Sequence, residues 1–166
     1  MNNALRGKVL EDFLQHQHNI YNANRLALVW HNGTSGMIRR GKAILVRSQP
    51  DYSGILTCMG GRHISFDAKL TATPRYHHPT DRLHQLSALW EVQEAGGISF
   101  LLISIELERF FLIWPDLSWR DQRPFSLNLD TLEDRPDRGI EFYRDGGYGL
   151  ANWLKVVRAL SELGSI

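Results

Sequence analysis

At 166 residues and 43% hydrophobic, the chain carries enough apolar material for one domain with a single core and is too short for two ordinary ones. Its lone cysteine, Cys58, excludes an intramolecular disulfide and a cysteine-based zinc cluster, and reads as a small core hydrophobe at a strand end. The net charge of +1 conceals a polarity, because residues 1–50 carry seven Lys/Arg against two Asp/Glu, whereas residues 84–166 carry eight against thirteen.

No apolar stretch of signal-peptide type opens the chain, so a cytoplasmic location is expected. Residues 8–19 set Val9, Leu10, Phe13 and Leu14 near a helical stripe, predicting an amphipathic helix with Glu11 off its apolar face. Residues 26–30 (Leu-Ala-Leu-Val-Trp) read as a first strand, ended by His31-Asn32-Gly33. Residues 34–49 mix Arg39, Arg40, Lys42 and Arg47 with Ala43-Ile44-Leu45-Val46, which suggests a short basic arm or stalk, with no acidic residue between Asp12 and Asp51. Such a stretch offers positive surface to a phosphate backbone, although a solvated basic loop has the same composition.

Residues 52–59 and 63–70 flank Gly60-Gly61 and predict an antiparallel hairpin. Leu83, Leu86, Leu89 and Trp90 recur at helical spacing within 81–95, and Gly96-Gly97 supplies the stop. Strands are expected at 98–105, an apolar run too short to span a bilayer, and at 110–114. After an irregular stretch, Leu150, Trp153, Leu154, Val157 and Leu160 mark a closing helix. With no linker or repeat in view, the order of elements fits a single α/β domain over 1–166 built around one mixed sheet flanked by helices.

The pattern with most chemistry lies in the hairpin. Asp51 follows Pro50, and Asp67 and Lys69 stand two apart in the second strand, so both emerge on one face while Phe66 and Ala68 point the other way. Two carboxylates and an ammonium converging on one spot suit a metal-dependent nuclease, which needs hard oxygen ligands and a cation beside the attacking water and phosphate. Surface ion pairs for Asp67 and Lys69, and a turn or N-cap role for Asp51, are the competing structural readings. His77-His78 lacks partners at metal-ligand spacing and fits a surface lying along nucleic acid, as does Arg75. Trp90, Trp114, Trp119 and Trp153 sit in apolar contexts that favour packing over base stacking.

A family resemblance rests on several short elements in fixed order. These are Arg6-Gly7-Lys8 with Glu11, Tyr21, Arg25-Leu26-Ala27-Leu28, Asp51-Tyr52 with Gly54, Phe66-Asp67-Ala68-Lys69 with Thr71, His84-Gln85, Gly96-Gly97-Ile98 with Phe100-Leu101-Leu102-Ile103, and Phe111-Leu112. Together they resemble the RecU-type Holliday-junction resolvases of the PD-(D/E)xK nuclease superfamily, over about residues 6–114. The resemblance implies a restriction-endonuclease-like α/β core, Mg²⁺ or Mn²⁺ held by Glu11, Asp51, Asp67 and the Ala68 carbonyl, and Lys69 as the cation that orients water. A catalytic contribution from Gln85 is expected beside these, DNA contacts are expected from Arg6 and Lys8, from the basic-arm residues Arg39, Arg40, Lys42 and Arg47 and from Arg75, and a homodimer in a bacterial or phage-infected cell matches the two-fold symmetry of a junction. Three departures stand out: Asp67 where the family usually has Glu, His31 and Thr34-Ser35 where it has a Lys and a Thr-Pro pair, and a short segment before Asp51 where it has a protruding stalk.

The expected function is a structure-selective endonuclease that resolves four-way DNA junctions by paired symmetric nicks in recombination and repair. A restriction-like or repair nicking enzyme of the same superfamily is the alternative within the class, and a non-catalytic junction-binding protein is the alternative outside it.

Overall fold

The inward face of the first helix continues past its apolar letters. The computed structural model describes residues 3–33, 36–39, 42–45, 49–144 and 151–164, and its first helix, α1, runs Asn3–Ala23. Gln17, His18 and Tyr21 are buried below Leu10 and Leu14 on that face, so hydrophobic periodicity alone stops short of the true end. Arg25 then takes a left-handed conformation (φ 54°) and the Leu26 amide donates back to the Tyr21 carbonyl, which delays the first strand β1 to Leu28–His31.

Strands β2 (Gly36–Arg39) and β3 (Lys42–Leu45) pair antiparallel with each other and form a two-stranded sheet of their own. Strand β4 (Tyr52–Leu56) passes through a 3-10 turn to β5 (Arg62–Thr71), the hairpin expected around the paired glycines. A short strand β6 (Arg75–His77) and a 3-10 turn lead into α2 (Leu83–Glu94), followed by β7 (Ile98–Ile105) and β8 (Arg109–Ile113).

The stretch read as irregular is in fact ordered. It contains α3 (Leu117–Arg120), β9 (Ser126–Asn128) and β10 (Gly139–Tyr143) ahead of the last helix α4 (Trp153–Glu162). These pieces are too short for periodicity to register, and their order comes from partners distant in sequence: β9 pairs with β6, and β10 extends the main sheet beside β8. The main sheet is mixed, in the order β1-β4-β5-β7-β8-β10, with β5 and β7 parallel and every other neighbour antiparallel.

Both faces of this sheet are covered. On one side α1 and α4 pack on Ile64, Phe66, Phe100, Leu102, Phe110 and Leu112. On the other, α2 with Trp119, Phe125, Leu129 and Leu132 covers Leu101, Ile103, Phe111 and Ile113. Burial on both faces is why β7 reads as a continuous apolar run, and its two serines are satisfied locally: Ser99 Oγ donates to the Leu89 carbonyl at 2.6 Å, and Ser104 Oγ accepts the Leu107 amide at 3.1 Å. Trp119 and Trp153 are fully buried, as packing predicts, and Cys58 lies half-buried against the first cluster. No helix among the described residues is long and apolar enough to cross a membrane.

His18 is enclosed by the rings of Tyr21, Tyr52, Phe66 and Trp153, and neither ring nitrogen has a hydrogen-bond partner among the described residues. Burial pushes its pKa down to about 4. Between that value and the ordinary 6.5 the unfolded chain binds a proton that the folded chain refuses, so stability falls as pH drops through this window. His18→Leu should remove roughly 2–3 kcal/mol of the stability lost between pH 7 and pH 4.5, read as the difference between urea midpoints at the two pH values. Equal losses in the variant and the parent protein would exclude His18 as the source.

Candidate active site

The hairpin register brings the acids together. Tyr52 pairs with Phe66, so Asp51, one residue before β4 begins, falls beside Asp67 in the middle of β5. The turn that fixes this register uses positive φ at Gly60 and Gly61 (70° and 82°), a conformation that side chains with Cβ resist. Asn32 anchors the approach: its backbone amide donates to the Asp51 carbonyl, and its side-chain amide donates to the Pro50 carbonyl and Ser53 Oγ, all at 2.8 Å.

The three charges then form one unit. The Asp51 amide donates to Asp67 Oδ1 at 2.7 Å, Lys69 Nζ lies 2.8 Å from Asp51 Oδ2 and 3.7 Å from Asp67 Oδ2, and the Ala68 amide reaches Asp51 Oδ2 at 3.4 Å. Asp67 and Lys69 therefore share a face as alternation requires, while Phe66 enters the first core cluster with Ala68 packed against it. The Asp67 side chain has no solvent exposure, which rules out the surface ion-pair reading, and Asp51 precedes a strand and caps no helix.

Asp67 Oδ2 is buried without a hydrogen bond among the described residues. Burial raises the Asp67 pKa to about 6; Lys69 opposes the rise, the Asp51 charge adds to it, and the Asp51 amide lowers it. A buried carboxylate with one orphaned oxygen, next to a second carboxylate, fits a hard divalent cation, since Mg²⁺ is commonly held by one or two carboxylates plus substrate oxygens.

Asp51, Ala68 and Lys69 open onto a cleft of about 650 Å³. One side of it is formed by α1 through Gly7, Leu10 and Glu11 together with His31, the other by Tyr76, His77, Pro79, Asp81 and Arg82. Glu11 faces this space from an exposed position but does not complete a three-acid centre, because no group of three or more Asp, Glu, His or Cys side chains spaced to share a metal occurs among the described residues. Two carboxylates already meet there, and a third gains nothing by approaching them unaided. Gln85 is buried on α2, its side-chain oxygen without a partner among the described residues, and stands outside the cleft lining.

The predicted DNA contacts divide. Lys8 is exposed on α1 and pairs with Asp12 at 3.0 Å, and Arg75 is exposed at the start of β6. Arg39 and Lys42 occupy facing positions at the end of the β2–β3 ladder, while the Arg6 side chain and all of Arg40 and Arg47 lie outside the described residues. His77 lines the cleft and its neighbour His78 is buried, so the two do not act as one metal pair. Sequence reasoning passed over Arg82 and Tyr76 as cleft residues and treated His31 only as a departure from the family pattern. Nothing local marks the first two, which reach the cleft from β6 and from the turn between β6 and α2.

The profile of the RecU family, described as Recombination protein U, matches residues 5–123. The chain belongs to this family. It is 29% identical over 150 residues to the Holliday junction resolvase RecU of Bacillus subtilis, covering 78% of this chain and 70% of that protein, and 28% identical over 150 residues to that of Bacillus licheniformis, covering 78% and 73%. Among solved structures it is similar to Archaeoglobus fulgidus Hjc, a Holliday junction resolvase, with a TM-score of 0.51 at 11% identity, over 79% of this chain and 94% of that one. At that identity the likeness concerns the fold alone, the restriction-endonuclease-like α/β core expected from the sequence.

For this RecU-family chain the buried Asp67 charge carries a measurable cost. Its pKa is raised from 3.8 to about 6, so the associated stability is present below 3.8 and lost as pH rises through 6. Asp67→Asn should therefore raise the stability of the protein in chelator at pH 8 by roughly 1–3 kcal/mol, seen as a higher thermal midpoint. A lower midpoint would mean that the ionised carboxylate stabilises the fold.

Proposed function

We propose that this chain is a metal-dependent endonuclease that resolves four-way DNA junctions. The single observation that carries the reading is the buried Asp67 carboxylate, with one oxygen unsatisfied among the described residues, joined to the cleft-lining Asp51 and Lys69 in a RecU-family fold. The family name denotes recombination, and the curated relatives are named Holliday junction resolvases.

In this reading Asp51 and Asp67, with the Ala68 carbonyl and with Glu11 from the facing side, hold Mg²⁺ or Mn²⁺. A divalent ion bound there supplies charge neutralisation at the scissile phosphate and a lowered pKa for the attacking water. Lys69, fixed by its two carboxylates, orients that water and offsets charge that builds on the phosphate oxygens. Gln85, outside the cleft lining, carries a side-chain oxygen without a partner among the described residues and joins the site in this reading as a supporting residue. Arg6, Lys8, Arg75 and the basic arm at 34–49, with Arg39, Arg40, Lys42 and Arg47, extend the DNA-binding surface. A homodimer suits the substrate, since a two-fold junction presents two equivalent phosphates to two identical sites.

On a synthetic four-way junction with Mg²⁺, the protein should nick two strands at symmetric positions and leave a matched linear duplex uncut. Asp51→Asn should abolish cleavage with junction affinity within a few-fold of the parent. Lys69→Ala should slow cleavage by about two to four orders of magnitude, the usual worth of a positioned catalytic group. Parental turnover in Asp51→Asn, or a loss below about tenfold in Lys69→Ala, would remove these residues from the chemistry.

Sedimentation with junction DNA should find a dimer, and mapping should place both cuts within one bound complex, because the second nick is then intramolecular. A monomer at micromolar concentration would favour a simple nicking enzyme.

A further inference from the structure

Before any cation binds, the cleft offers a strand of DNA an unfavourable balance of charge. Glu11, Asp51 and Asp81 line it, Asp67 lies beneath, and the ammonium of Lys69 is shared between two carboxylates. Arg82 is the other cation on the lining. Its side chain is exposed and makes no ion pair or side-chain hydrogen bond among the described residues, and Asp81 beside it does not pair with it.

The backbone beneath Arg82 is held firmly. Its carbonyl accepts a hydrogen bond from His78 Nε2 at 3.0 Å, and its amide donates to the Pro79 carbonyl at 3.0 Å. A carbonyl only accepts, so Nε2 carries the proton, and Nδ1 of the neutral ring accepts a hydrogen bond from the Tyr76 hydroxyl at 2.9 Å. Both Tyr76 and His78 are buried; β9 pairs with β6, and the Phe125 carbonyl just before β9 accepts the His78 amide at 2.9 Å. A satisfied, buried polar chain of this kind rigidifies the segment it joins. Here it fixes the base of a long cationic side chain and leaves the guanidinium free.

We propose that Arg82 is a phosphate-binding residue that seats the DNA strand across the Asp51–Asp67–Lys69 site, and that the Tyr76–His78 chain positions it. The proposal rests on the nuclease reading and adds the contact that the carboxylate-rich cleft requires. The guanidinium presents a planar fork matched to two phosphate oxygens, and anchoring its backbone lowers the entropy lost on binding. Arg82 positions substrate and takes no part in proton transfer.

The test measures both steady-state cleavage and the salt dependence of junction binding, the latter in Ca²⁺ so that it is read whether or not cleavage occurs. Arg82→Ala should raise KM for the junction about tenfold, with kcat falling less than about threefold, and should reduce the log–log salt slope by about one. Arg82→Lys should restore the slope and only part of KM, because it returns the charge without the fork. Tyr76→Phe, which breaks the chain without touching charge, should raise KM about threefold and leave the slope unchanged. Arg82 is exposed, so folding of its variants is checked by the thermal midpoint, and Arg82→Gln serves if the alanine variant melts early. Parental KM and slope in Arg82→Ala would overturn the inference, as would a fall in kcat at constant KM. A parent protein that binds junctions but never cuts them would defeat the nuclease reading instead, and the salt slope would still decide the role of Arg82.

Discussion

The structure is organised around a carboxylate that would not ionise easily if left alone. Asp67 sits in the middle of β5, paired with Leu101 of β7 and beside Asp51 just ahead of β4, with no access to solvent, and among the described residues only the Asp51 amide and the Lys69 ammonium offset its loss of hydration. A charge in that position is tolerable only if its neighbours are held to within a few tenths of an ångström. The rigid hairpin register, the Asn32 bonds to residues 50, 51 and 53, and the all-apolar covering of β7 all serve that requirement.

The two faces of the sheet divide the remaining work. Helix α1 packs on one face and carries Glu11 to the cleft rim, while on the other face the chain between β6 and α2 forms the opposite side. That second side depends on residues far along the chain, since β9 carries β6, and Phe125, Leu129 and Leu132 fill the space beneath. The C-terminal third is thus a buttress for the cleft even though none of its described residues lines it.

Charge follows the same division. After residue 84 the arginines pair with acids of the same stretch: Arg109 bonds Glu141 and Asp130, Arg138 pairs with Asp116, Arg135 with Asp137, and Asp121 lies between Arg120 and Arg123, which leaves the excess of acids over bases there unchanged. Exposed pairs of this sort contribute little stability, and the chain keeps a basic N-terminal part and an acidic C-terminal part.

Much of this was legible in the residue order. The α/β class, the hairpin around Gly60-Gly61, the buried strand at 98–105, helix α2 and the shared face of Asp67 and Lys69 all follow from local periodicity and turn chemistry, which depend on a few neighbouring residues. The length of α1 was hidden because its inward face ends in Gln17, His18 and Tyr21, whose burial depends on rings from β4, β5 and α4. Strands β6, β9 and β10 were hidden because three to five residues carry too little pattern, and each is ordered by a partner remote in sequence. Sequence alone thus determined which residue types were available for the chemistry and which face of a strand they shared. Only the tertiary structure decided that Asp51 lies against Asp67, that Glu11 stays at the rim, that Gln85 turns inward and that Arg82 faces the cleft, because those outcomes are distances between segments, set by packing of the whole sheet.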